Sequence, residues 1–171
     1  MIKIIKGKVE DCDLIAQISK KTFLESHGKS ASKKDVDLFI STTYKKEILL
    51  KELNNPTIEY NLIYYKNKIA GYSKIEFNVA NNNIEDKNIT KLDRFYLLKE
   101  FYGQKLGAKL FDFNIELSKR NQQNGIWLAV WIENHKAIKF YTKVGFKIVG
   151  KYNFKISNTH SNPNHILFLG Y

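Results

Sequence analysis

Acid and cysteine are both scarce in this sequence. Its 17 Asp and Glu face 28 Lys and Arg, which leaves a formal charge of +11 and a sequence pI near 9.5. Such a balance marks a nucleic-acid partner when the charge is gathered on one face. Here the lysines run from Lys3 to Lys155 without clustering, and no zinc-finger, helix-turn-helix or RNA-recognition signature accompanies them. The plainer reading is a solvated, Lys-rich surface, and nucleic acid is not expected as a partner. The single cysteine, Cys12, excludes an intramolecular disulfide framework and fits a reducing, cytoplasmic setting. It reads as an ordinary helix residue. No apolar run approaches the ~18–20 residues of a membrane-spanning helix. The start, Met1-Ile2-Lys3-Ile4-Ile5-Lys6, is too short and too interrupted for a signal peptide, so no membrane association is expected. His160 and His165 flank Asn162-Pro163-Asn164 without a carboxylate or cysteine beside them, so no metal is expected there.

Apolar residues, by contrast, are plentiful. At 43% hydrophobic and 13% aromatic over 171 residues, the chain can bury a full core, and one domain covering 1–171 is expected. Residues 2–5 read as a strand. Acidic Glu10, Asp11 and Asp13 then mark a helix N-terminus, and Leu14, Ile15, Ile18 and Thr22 recur at helical spacing to about Glu25. Further helices are expected over 33–41 and 45–53, the latter ended by Asn54-Asn55-Pro56. Strands over 57–65 and 69–77 flank the tight turn Lys66-Asn67-Lys68, and 79–88 is a polar loop. There is no internal repeat and no linker.

The rest is organised around 92–146. An apolar run, 92–98, feeds a turn from Lys99 to Gly107, and a helix is expected over 108–119. A second strand, 126–131, precedes a short helix that ends in Ala137-Ile138-Lys139-Phe140-Tyr141-Thr142-Lys143-Val144-Gly145-Phe146. A strand entering a turn whose amides crown a helix makes an anion site. The helix N-terminus carries roughly half a positive charge and several unpaired N–H groups.

The turn is similar to the Gln/Arg-x-x-Gly-x-Gly/Ala signature of the Gcn5-related N-acetyltransferases, which bind acetyl-coenzyme A. The run Asn134-x-x-Ala137-x-x-x-Tyr141-x-Lys143-x-Gly145-Phe146 resembles that family's second signature, in the same order and at the same distance. The resemblance implies an α/β (α+β) fold, a mixed and mostly antiparallel central sheet flanked by helices. Strands would follow over 146–152 and 165–170. Thr22-Phe23, Ile69-Ala70-Gly71-Tyr72, Arg94-x-Tyr96, Trp127-Leu128-x-Val130-Trp131 and 134–146 further resemble the Pai-type spermine/spermidine acetyltransferases.

By that resemblance acetyl-coenzyme A is the co-substrate and no metal is used. Its pantetheine arm would lie along the backbone of Phe95, Tyr96 and Leu97, where an amide would also face the thioester oxygen. The turn residues Tyr102, Gly103, Gln104, Lys105, Leu106, Gly107 and Ala108 would hold the pyrophosphate, with Asn134 and Lys143 as further contacts. Asn134 also reads as a helix N-cap. The sequence departs from the signature. Tyr102 stands at the Gln/Arg position, Lys105 at the first glycine and Lys109 at the final small position, while Gly107 is kept. Lysine fits at 105 provided its backbone need not adopt positive φ.

The chemistry sets its own demands. An alkylamine of pKa ~10.4 is neutral in about one molecule in ~2500 at pH 7, a cost of roughly 4–5 kcal/mol. A base, or a pocket that disfavours the ammonium, must offset part of that cost. Tyr141 matches the family tyrosine that protonates the leaving thiolate. For the base, Ala129 and Lys91 fill positions where family members carry acids, so Asp93 is the best remaining carboxylate. Glu25 and His27 close the first helix, where the family builds its acceptor cleft. They are expected to meet substrate, with His27 relaying a proton through water or simply matching the helix dipole.

The expected function is direct acetyl transfer from the thioester to a small primary amine, polyamine being the leading member. The Pai-type relatives carry an acidic turn after the strand equivalent to 146–152. Here 155–165 holds no acid at all, and each missing exposed contact forfeits up to ~1 kcal/mol. Glu25, Asp35, Asp37 and Asp93 compensate only if they converge on the cleft. A peptide or protein N-terminal amine is an alternative acceptor, and a catalytically weakened acyl-coenzyme A-binding or nucleic-acid-binding module an alternative class. A homodimer is left open.

Overall fold

Seven strands form one sheet in the order β1-β2-β3-β4-β5-β7-β6 in a computed structural model that describes all 171 residues. The chain runs β1 (Ile2–Lys6), α1 (Cys12–His27), α2 (Lys33–Thr43), α3 (Lys46–Leu53), β2 (Ile58–Tyr65), β3 (Lys68–Glu76) and β4 (Thr90–Leu97). It continues α4 (Leu106–Arg120), β5 (Gly125–Trp131), α5 (His135–Lys143), β6 (Lys147–Lys155) and β7 (Ser161–Gly170). Only β4 and β5 are parallel neighbours; every other pair is antiparallel. No helix is long and apolar enough to cross a membrane.

Each face of the sheet carries its own core. On one, α1 and α3 bury Ile15, Ile18 and Leu49 against Leu62, Tyr60 and Tyr72. On the other, α4 and α5 bring Phe111 and Tyr141 onto Ile126, Leu128 and Leu167. A fully buried side chain of this kind is worth about 1.5–3 kcal/mol, so both amphipathic faces are fixed against the sheet. Helix α4 is also keyed by polarity. The Asn114 Oδ1 accepts from Asn61 Nδ2 at 3.2 Å and from Ser73 Oγ at 2.9 Å in the interior.

The β2–β3 turn is tighter than expected. Lys66 and Asn67 both take positive φ, 47° and 64°, and Lys68 already pairs with Tyr65, as in a two-residue hairpin. The larger departure lies near the C-terminus, where 155–165 is mostly strand. β6 runs on to Lys155 and β7 starts at Ser161. The Pro163 carbonyl accepts from Ile132 N–H at 3.0 Å, so its ring nitrogen faces the same side, just past the end of β5. No β5 strand residue lies opposite it, and proline is tolerated there.

Two irregularities shape the middle of the sheet. β4 and β5 pair only through Thr90↔Ile126 and Lys91↔Trp127. Across β4's other edge, Lys74 pairs with Arg94 but Ile75 with Leu92, so Asp93 is an extra, unopposed residue, a β-bulge. Beyond it β4 and β5 separate. Gly71 lets β3 follow β4 closely, since a Cβ there would lie 2.3 Å from the Tyr96 carbonyl oxygen.

Candidate active site

The gap between β4 and β5 has two unpaired backbone edges. Leu98 N–H donates to Ala70 O at 2.9 Å on the β3 side. Strand alternation then turns Tyr96 toward β3, while Phe95 and Leu97 point their N–H and C=O into the gap. The same argument on β5 starts from the Ile132–Pro163 bond and leaves Ala129 and Trp131 facing the gap from the other side. A cavity of about 530 Å³ opens here, lined by Phe95, Tyr96, Ala129, Trp131, Asn134 and Tyr141 among others. Backbone edges of this kind suit an extended ligand that carries amides of its own.

The turn after β4 offers a second kind of donor. From Gly103 to Ala108 no backbone N–H is donated within the chain; Tyr102 N–H bonds Lys99 O before it, and Lys109 N–H bonds Lys105 O after it. No side chain caps α4. Gly103 at φ 81° and Lys105 at φ 58° curl these groups into a concavity at a helix N-terminus, which attracts anions. The condition set for lysine at 105 is therefore not met. Its backbone does adopt the left-handed conformation, at a cost of about 1–2 kcal/mol for a residue with a Cβ. Tyr102 is half exposed and lies under Lys136 of α5, whose Nζ is 4.0 Å from the ring centroid. Gln104 is exposed, Leu106 is buried in the core, and Gly107 has only Leu97 Cδ1 near its Cβ position, at 3.6 Å.

Tyr141, on α5, is buried among Phe140, Phe146, Phe95 and Phe111, and its hydroxyl makes no hydrogen bond within the chain. Burial pushes this phenol well above its ordinary value, so it keeps its proton. Asn134 caps α5, its Oδ1 accepting from Ala137 N–H at 3.2 Å, which leaves its amide free toward the cavity. Lys143 ends α5 exposed and outside the cavity lining.

Asp93 is a poor base in this setting. Burial alone would raise its pKa, but Lys74, Lys91 and Arg94 outweigh that and hold it well below the usual carboxylate range. Lys74 Nζ lies 2.9 Å from Oδ2 and Lys91 Nζ 2.6 Å from Oδ1. Behind it Glu52 accepts from Lys74 at 2.6 Å, from Arg94 at 3.2 Å and from the Tyr60 hydroxyl. This cluster joins α3, β2, β3 and β4 and has no local sequence signal.

Glu25 and His27 part company. The Glu25 Oε2 accepts from Lys99 N–H at 2.9 Å, tying α1 to the turn after β4, and it does not line the cavity. His27 does line it, stacked on Phe23 at 5.0 Å and packed by Trp131 at 5.8 Å. Burial pushes its pKa down to about 4, so the ring is neutral at pH 7. Ser26 Oγ spends its one hydrogen on Thr22 O at 2.8 Å and lies 2.7 Å from His27 Nδ1. Nδ1 is thus the donor, and Nε2 keeps a lone pair with no partner in the chain. His160 is structural, its Nε2 lying 2.9 Å from both Ser30 O and Asn162 Oδ1.

Comparison with known proteins bears directly on this geometry. The sequence model of the Acetyltransferase (GNAT) family matches residues 18–146. An uncharacterised N-acetyltransferase from the pepI 3′ region of Lactobacillus delbrueckii subsp. lactis is 29% identical over 157 residues, covering 92% of this chain and 91% of its own. A probable spermine N(1)-acetyltransferase of Bacillus subtilis subsp. natto is 28% identical over 97 residues, 54% of this chain and 61% of that protein. Among solved structures, the PaiA N-acetyltransferase of Thermoplasma acidophilum in complex with coenzyme A superposes with a TM-score of 0.79 at 22% identity. The match covers 100% of this chain and 99% of that one.

Proposed function

This chain belongs to the GNAT family of N-acetyltransferases, and we propose that within it the protein acetylates a small primary amine by direct attack on acetyl-coenzyme A. One observation carries the site: six consecutive free backbone N–H groups, 103–108, follow a strand whose outer edge is also unpaired. A diphosphate and an amide-bearing arm are what those two features fit. The bound thioester supplies an activated acetyl group.

The chain's own residues then divide the work. The backbone of Phe95 and Leu97 holds the pantetheine amides and points an N–H at the thioester oxygen. The turn 102–108 holds the pyrophosphate, with Lys105 adding a positive charge, and the free amide of Asn134 reaches the arm. The Tyr141 hydroxyl gives its proton to the departing sulfur. His27, neutral and with its Nε2 lone pair open, takes the proton from the amine nitrogen, directly or through water, as that nitrogen bonds the thioester carbon and its N–H becomes far more acidic than in the free ammonium. Asp93 is assigned to holding Lys74, Lys91 and Arg94 in place, and Glu25 to bracing the turn. The whole chain acts as one domain.

Calorimetry with acetyl-coenzyme A, followed by release of free thiol in the presence of an amine panel, tests this reading. Binding together with amine-dependent thiol release is the expected result. A folded protein that binds no acetyl-coenzyme A, or binds it without turnover on any amine, would remove the proposal.

A further inference from the structure

The acceptor wall of the cavity says more about the amine. Asp93 is the only acid among the lining residues, against Lys91, Arg94 and Lys155. Both its oxygens are held by lysines, and Glu52 behind it is held by Lys74, Arg94 and Tyr60. Lys74, Lys91 and Arg94 thus balance only Glu52 and Asp93, so the cluster keeps one surplus positive charge. The acids that would have compensated lie elsewhere. Glu25 serves Lys99 N–H, Asp35 accepts from the hydroxyl of Ser32, the cap of α2, and Asp37 pairs with exposed Lys33.

What the wall presents instead is aromatic. Phe23 and Phe39 stack at 4.6 Å, Phe39 meets Phe154 at 5.6 Å, and His27 joins Phe23 to Trp131. An ammonium gains from open ring faces, but the Arg94 guanidinium already covers Tyr44 at 5.1 Å and Lys91 covers Trp127 at 5.5 Å. A second cationic centre would give up water here for a wall that is already positive and has no open carboxylate. A flat apolar body meets rings at ordinary packing distance.

We propose that the acceptor is a monoamine with an aromatic body, and that this wall selects against polyamines. The inference rests on the amine-acetylating reading above. Its test is kcat/KM by thiol release at saturating acetyl-coenzyme A for 2-phenylethylamine, butylamine and spermidine. The expected order places 2-phenylethylamine at least about tenfold above each of the others, the size of one or two matched apolar contacts. Spermidine or butylamine equal to or above it overturns the inference and leaves acetyl transfer standing. No turnover of any amine, in protein that binds acetyl-coenzyme A, overturns the underlying reading and the inference with it. A second arm uses Lys155→Glu, at the exposed end of β6 and without a partner in the chain. Reversing that charge should raise the spermidine to 2-phenylethylamine ratio about tenfold, and an unchanged ratio overturns the charge argument.

Discussion

Replacing Tyr141 with phenylalanine isolates the contribution of a single oxygen atom. The ring lies 5.4 Å from both Phe140 and Phe146, 6.4 Å from Phe95 and 6.5 Å from Phe111, and all of these contacts survive the change. The hydroxyl has no partner in the chain, so its removal orphans no buried group. Stability should hold within about 1 kcal/mol and Tm within a few degrees. Acetyl-coenzyme A affinity should hold as well, because the turn 102–108 and the edge of β4 are untouched. Turnover should fall roughly 10²–10⁴-fold, about 3–5 kcal/mol of barrier at ~1.4 kcal/mol per factor of ten. Burial raises this phenol, so it reaches the step with its proton in place. The assay is kcat by thiol release, with single-turnover kinetics to show that acetyl transfer limits the rate. Wild-type kcat in a folded mutant, with chemistry still limiting, would refute the assignment and return Tyr141 to the aromatic core.

Three further outcomes follow from the same geometry. Gly107→Glu should fold, since the only heavy atom near its Cβ is 3.6 Å away, but should weaken acetyl-coenzyme A binding at least about tenfold by setting like charge beside the pyrophosphate; unchanged calorimetric affinity would remove the turn from the site. Asp93→Asn should cost about 3–5 kcal/mol of stability at pH 7, because it strips a partner from buried Lys74 and Arg94. The Asp93 pKa is depressed in the fold, so its contribution is fully present above about pH 4 and lost as pH falls further; the Tm gap between mutant and wild type should narrow in acid, and a gap that persists there would refute the pairing. His27→Gln should lower kcat/KM roughly 10²-fold, while wild-type kcat/KM, corrected for protonation of the amine, should stay level down to about pH 5 and break near the histidine's value of about 4; a break near 6.5 would place the ring in water.

The order of elements was legible because the periods of 3.6 and 2 are local properties of the chain. Ile15, Ile18 and Thr22 announce α1 and are buried as their spacing requires. The turn of undonated amides was legible for a different reason: it lies within a few consecutive residues. Lys105 shows the limit of that reading, since a left-handed backbone normally calls for glycine and the sequence offered a lysine. Residues 155–164 fell outside the expected strands, 146–152 and 165–170, because the strand ending opposite Pro163 comes from residues 125–131 and is invisible locally. Asp93 was reached as the best remaining carboxylate and Glu25 by its place at the end of the first helix. Their fates were decided by Lys74, Lys91 and Lys99 N–H, groups that only the folded chain brings near.

The two rungs that join β4 to β5 make the sheet a pair of plates sharing a short seam. Strands β1 to β4 form one plate, and β5 to β7 the other. A ligand lying along both free edges is then a missing strand as much as a reactant, and its binding lengthens the seam. Affinity and folding stability become one quantity: at 100 times its dissociation constant such a ligand adds about 2.7 kcal/mol to the folded state. The supply of acetyl-coenzyme A would therefore set the protein's resistance to unfolding and proteolysis as well as its rate of turnover.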